Sequence, residues 1–280
     1  MRHIILHGHI FKNAGTTFDW SLQKNFGKNF LDHRKDLLMR SEGRGHIEEL
    51  LTTKQALCAV SSHHMTRDLP DMPGVSFIQT YLLRHPLERI RSVYDFERTQ
   101  RGRTPGAKAA KSKSFKDYVE WRMLPKVAHT IRNYQTLYLA GIHGLASERE
   151  LALHYFPDAL EAVRGDSLIG LVERYDESMV VLEDTLKECF ADIDLAYVAQ
   201  NVSKSKRGKK PPPDPVANTL EELGDLQRTV IDKNSFDLAL YQLVSERLDS
   251  RILDIARFDE KLEDFRERCQ RLARRKILGR

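Results

Sequence analysis

The chain has 280 residues, 41% of them hydrophobic, enough to bury one large core and to suggest one or two domains. Its 45 basic and 40 acidic side chains leave a formal net charge of +5, which favours anionic ligands without requiring nucleic acid. Three scattered cysteines, Cys58, Cys189 and Cys269, fit neither a disulfide framework nor a metal site, and no apolar run reaches the roughly 18 to 20 residues of a membrane span.

Ile4, Ile5 and Leu6 predict a buried strand that runs through a glycine-containing loop into a helix bearing Phe18, Trp20 and Leu22. Thr16 and Thr17 stand where an N-cap hydroxyl is expected, and an anion there would meet unpaired helix N–H groups and the positive end of the dipole. Lys12 sits inside the loop. The nucleotide pattern G-x-x-x-x-G-K-[ST] does not fit, because six residues separate Gly8 from Gly15 and Lys12 precedes Gly15 by three. His7 and His9 share a strand face but have no third ligand at a suggestive spacing, so both are read as structural and no metal is expected.

Leu57 to Val60 predict another apolar strand, running out through Ser61 and Ser62 into His63 and His64. Neighbours on an extended chain face opposite ways, so at most one of these histidines meets a ligand, where a neutral imidazole can accept a proton. A further strand beginning near Phe77 stops at Arg84, and a helix resumes after Pro86, a residue suited to an early helical position. Arg84 at the strand's carboxyl end and Ser92 two turns into that helix suit one phosphate monoester.

Residues 98 to 114 carry six cations and no carboxylate, with Gly102, Pro105 and Gly106 among them, and predict a mobile surface loop. A second basic tract, Lys204 to Lys210 followed by three prolines, predicts a linker. Neither tract interleaves aromatic residues, so no nucleic acid partner is expected. Ile255, Phe258, Leu262, Phe265, Cys269 and Leu272 alternate by three and four, the seam of a helix that docks on its own core or pairs two copies into a homodimer.

The loop around Lys12 resembles the 5′-phosphosulfate loop of sulfotransferases, P-K-[TS]-[AG]-[GS]-[TS]-[TS], with Phe11 in place of proline and Asn13 in place of a hydroxyl residue. Residues 84 to 94 resemble their 3′-phosphate element, R-D-P-x-E-R-x-x-S-x-Y, at Arg84, Pro86, Glu88, Arg89, Ser92 and Tyr94, with His85 in place of aspartate. Residues 133 to 141, 169 to 183 and 232 to 241 extend the resemblance over most of the chain. It is nearest to the polysaccharide and carbohydrate O-sulfotransferases and their bacterial relatives.

The resemblance implies an α/β fold, a P-loop-like three-layer sandwich with a central parallel sheet, over residues 1–245, with an amphipathic helical extension over 246–280. It implies 3′-phosphoadenosine 5′-phosphosulfate (PAPS) as sulfuryl donor, adenosine 3′,5′-bisphosphate as product, and the hydroxyl of a glycan or glycolipid as acceptor. Lys12 would serve the departing phosphate, with Asn13, Ala14, Gly15, Thr16 and Thr17 around it. Arg84 and Ser92 would take the 3′-phosphate, and Ser203 and Lys204 would lie against the nucleotide. His63, preceded by Ser62, is favoured over His64 as the base, while Glu88 and Glu173 support the fold. With no signal peptide or anchor in view, a cytoplasmic bacterial enzyme is expected. The alternative is a nucleotide-dependent kinase using the same loop, which would lack the usual lysine and a clear Mg²⁺-binding aspartate.

Overall fold

Side-chain alternation along β1 (Arg2–Gly8) sets the layers: Ile5 packs on one face with Phe18 and Leu22, while Ile4 and Leu6 pack on the other with Ile47 and Leu51. The computed structural model describes residues 1–200 and 213–278. β1, β2 (Phe30–His33), β3 (Ala59–Ser62), β4 (Val75–Leu83) and β5 (Leu168–Leu171) form one parallel sheet in the order β2-β3-β1-β4-β5.

The helices in the first half are α1 (Gly15–Phe26), α2 (Asp36–Ser41), α3 (Arg44–Thr53), α4 (Pro86–Thr99), α5 (Pro105–Ser112), α6 (Phe115–Met123) and α7 (Tyr134–Leu139). They are followed by α8 (Glu148–Glu150), α9 (Phe156–Arg164), α10 (Tyr175–Leu186), α11 (Pro215–Leu223), α12 (Gln227–Asp232), α13 (Ser235–Asp254) and α14 (Phe258–Leu278). With helices on both faces of the sheet, the chain is an α/β three-layer sandwich. Among the described residues, no helix is long and apolar enough to cross a membrane.

Strand order creates the site. From β1 the chain goes to β2 and β3 on one side, then crosses to β4 and β5 on the other, so the order reverses beside β1. Such a reversal opens a crevice at the strands' carboxyl ends. Register aligns Gly8 with both Ser62 and Tyr81, which brings the segments after β1, β3 and β4 to one edge.

The structure corrects one expectation and decides between two others. Residues 105–112 are helical rather than a mobile loop: Thr104 caps α5 by accepting the N–H of Ala107, and Pro105 occupies the first turn, where its missing N–H costs nothing. Ala107 and Ala110 are fully buried, and a side chain at Gly106 would collide with the Glu97–Arg122 pair. The C-terminal seam is spent on the chain's own core, with Leu262 and Phe265 buried in the cluster that holds Phe18 and Leu22. That removes the basis for a homodimer through this seam. α13 also runs unbroken through position 245, so the anticipated boundary falls inside a helix.

Candidate active site

The loop from His9 to Ala14 joins β1 to α1, and its carbonyl groups are held from behind. His63 Nδ1 donates to the His9 carbonyl at 2.9 Å, and the N–H of Asn13 to that of Ile10 at 3.2 Å. Arg89 Nε donates to the Phe11 carbonyl at 3.1 Å, and Arg84 Nη1 to that of Lys12 at 3.4 Å. Lys12 and Ala14 adopt left-handed backbone conformations, φ 67° and 59°. Each costs roughly 1–2 kcal/mol for a non-glycine residue, so the surrounding bonds must hold the loop in shape. No described acceptor takes the N–H groups of Ala14, Gly15 and Thr16. Carbonyl dipoles are thus drawn back and N–H donors collected at the positive end of α1, the arrangement an oxyanion needs.

Lys12 approaches from the loop. Its Nζ lies 4.6 Å from the centre of the Phe96 ring, and burial, followed by the nearby Arg84 charge, lowers its pKa below the ordinary lysine value. Phe96, Ser92 and Glu88 follow one another at helical i, i+4 spacing, so Ser92 lies on the stripe of α4 between Phe96 and Glu88. Glu88 and Glu173 stand 3.5 and 3.7 Å from the Arg84 guanidinium, and Arg84 Nε has no hydrogen-bond partner among the described residues. Glu173 is itself pinned by the His85 N–H at 3.1 Å and the Tyr241 hydroxyl at 3.2 Å.

Gln135 couples Arg84 to the loop. Its amide accepts the Arg84 N–H at 2.8 Å and donates to the Arg84 carbonyl at 2.9 Å, while Oε1 also accepts from Asn13 Nδ2 at 2.6 Å. Gln135 is held in turn by reciprocal helix caps. Asp237 accepts the N–H groups of Gln135 and Thr136, Asn133 accepts those of Phe236 and Asp237, and Asn234 accepts that of Asn133. Arg89 is fully buried, stacks 4.1 Å over the Tyr134 ring, and has its pKa pushed down to about 10 by burial.

Because His63 donates from Nδ1 to a carbonyl, its neutral tautomer leaves Nε2 bare, as a proton acceptor requires. Burial, then the neighbouring His9, lowers its pKa below 6.5. His64 turns away: its Nε2 lies 3.9 Å from Asp36, and its ring meets that of His143 at 4.5 Å. Asp19, one turn into α1, supplies the third group that the His7–His9 pair lacked in sequence. Its oxygens accept from His7 Nδ1 at 2.9 Å and His9 Nδ1 at 2.8 Å. These three residues lie within 4.8 Å, but both Nδ1 protons are spent on the carboxylate, so we read the triad as a hydrogen-bonded unit.

Lys12, Ala14, Gly15, Thr16 and Arg84 therefore gather around one loop, with His63 bonded to its first carbonyl. Asn13 does not join them, since its side chain turns inward to Gln135 and to the Leu82 carbonyl at 2.7 Å. Nor do the threonines cap α1. Ala14 occupies the cap position, and Thr17 accepts the Gln200 N–H at 3.2 Å. Ser203 and Lys204 lie outside the described residues. Sequence reasoning missed Gln135 and Asp19, although Asp19 stands one helical turn beyond the loop, where a partner for His7 or His9 could have been sought. At Gly15, an added Cβ would fall 2.6 Å from His9 Nε2. Gly15→Ala is accordingly expected to destabilise the protein by about 1–3 kcal/mol through overpacking, read as a lower denaturation midpoint.

No family model matches the chain. It is 31% identical over 254 residues to an uncharacterized protein of Archaeoglobus fulgidus, an alignment covering 87% of this chain and 96% of the relative. The chain belongs to the same family as that protein.

Proposed function

We propose that this protein is a sulfotransferase moving a sulfuryl group from PAPS to a hydroxyl of a carbohydrate or related acceptor, such as a glycan or glycolipid. One observation carries the reading: the carbonyls of residues 9 to 12 are bonded from behind, while the Ala14 to Thr16 N–H groups face the helix end flanked by Lys12 and Arg84. The residues suit such a donor, because N–H groups without a described acceptor and a loop lysine match one phosphate, and Arg84, whose Nε has no hydrogen-bond partner among the described residues, matches a second. The donor supplies an activated sulfuryl group whose leaving group is a phosphate.

In this reading the backbone N–H groups and Lys12 bind and orient the 5′ phosphate and stabilise the charge that develops on it. Arg84 and Ser92 hold the 3′-phosphate, which fixes the donor's direction. Gln135 keeps Arg84 and the loop in register. His63 accepts the acceptor's hydroxyl proton at Nε2, with the His9 carbonyl fixing the ring's tautomer.

Calorimetry tests the donor. Adenosine 3′,5′-bisphosphate is expected to bind more tightly than ATP, and the reverse order would point to the kinase. Turnover tests the base: His63→Ala should lower it about 10²- to 10⁴-fold, whereas His64→Ala should leave it within a few-fold of the parent. The base acts unprotonated and its pKa is lowered, so the acid limb of the rate profile is expected below pH 6.5. A limb centred above pH 7 would contradict the assignment.

A further inference from the structure

Asp19 is buried, and each of its oxygens accepts a proton-bearing histidine nitrogen. Burial works against its charge, but the bonds from His7 and His9 more than offset this and hold its carboxyl below the ordinary range. An ionised carboxylate only accepts, so both rings carry their proton on Nδ1 and leave Nε2 bare when neutral.

The two Nε2 atoms have different surroundings. That of His7 is sealed in the interior without a hydrogen-bond partner among the described residues. The His9 ring is 6% exposed and lies on the first residue of α1, its Nε2 2.6 Å from where a Gly15 Cβ would stand. His9 bonds Asp19 through Nδ1, and the ring edge that carries Nε2 stands against Gly15, the first residue of α1. A largely buried imidazole, with no hydrogen bond at Nε2 among the described residues, thus packs against the first residue of α1.

We infer that His9, held by Asp19, is a second cationic anchor of this loop, taking up a proton on Nε2 when a phosphate oxygen binds at the N-terminus of α1. The inference rests on the nucleotide-phosphate reading of the loop. The charged and titratable groups facing His9 are Asp19 on α1, His7 on β1, His63 beyond β3 with its ring centre 4.2 Å away, and Arg34 beyond β2. Burial foremost, with smaller contributions from His7 and Arg34, keeps the ring neutral, against the pull of Asp19. A bare lone pair would repel an incoming oxyanion. A proton taken from solvent replaces that repulsion with a charge-assisted hydrogen bond, and Asp19 compensates the imidazolium from beneath.

¹⁵N NMR of the imidazoles, with and without saturating adenosine 3′,5′-bisphosphate at about pH 7.5, tests this directly. His9 is expected to pass from the neutral Nδ1–H form to the doubly protonated ring. Reading the ring itself separates this uptake from any at Lys12. Affinity should fall by up to about tenfold per pH unit between pH ~7 and ~8.5, and His9→Gln should flatten that slope. If His9→Gln does not fold, the NMR of the unmodified protein decides alone. Bisphosphate binding with His9 still neutral would overturn the inference and leave the donor assignment standing. Failure of the bisphosphate to bind would sink the donor assignment instead. Inorganic phosphate then becomes the probe, and either no binding or binding without protonation of His9 overturns the inference.

Discussion

Lys12→Ala is expected to lower kcat for sulfuryl transfer by about 10²- to 10³-fold at saturating donor, with little change in thermal denaturation. The lysine is carried by the loop itself, and its ammonium rests against the Phe96 ring, with no ion pair among the described residues. Burial and Arg84 already disfavour its charge, so charge developing on a leaving phosphate beside it would relieve an unfavourable state. Stability should change little because the left-handed backbone at position 12 is held by the Arg84 and Asn13 contacts, which alanine retains. Full transferase activity in the variant would refute the assignment. A large loss of stability would show that the lysine is structural.

Asp237→Ala should have the largest effect on stability, about 3–5 kcal/mol. Asp237 is buried, and its carboxylate takes the Gln135 N–H at 3.1 Å and both the N–H and the hydroxyl of Thr136 at 2.7 Å. Removing it strands the first N–H groups of α7 in the interior and leaves the buried Arg89 without a nearby opposing charge. The damage would spread to the candidate site, because Gln135 stands on that turn and grips both Asn13 and Arg84. Denaturant unfolding at constant m-value measures the loss. A change below about 1 kcal/mol would mean that solvent replaces the cap, contrary to its burial.

The strand at Ile4–Leu6 and the proline start of α4 were legible because both signals are local, whereas the parallel α/β class was implied by the family resemblance. The anchoring of α5 was not legible. Basic residues with glycine and proline compose a loop by average, and only the Glu97–Arg122 pair filling the space beside Gly106 reveals why glycine stands there. The contrast between His63 and His64 was half legible: strand alternation says they diverge, but not which one meets the loop.

By itself the sequence determined that a strand, a loop bearing Lys12 and a helix follow one another, that Arg84 ends another strand, and that the C-terminal helix has one apolar seam. Those features depend on covalent spacing and on periodicity within a few turns. Only the tertiary structure decided that Asn13 points inward, that Ala14 rather than a threonine ends the loop, that His63 bonds the His9 carbonyl, and that the apolar seam packs on the chain's own core. Each of these is a choice of partner across long stretches of chain, 122 residues in the case of Asn13 and Gln135. Such choices turn on which buried polar groups would otherwise go unpaired, a condition that arises only once the sheet has brought its carboxyl edge together.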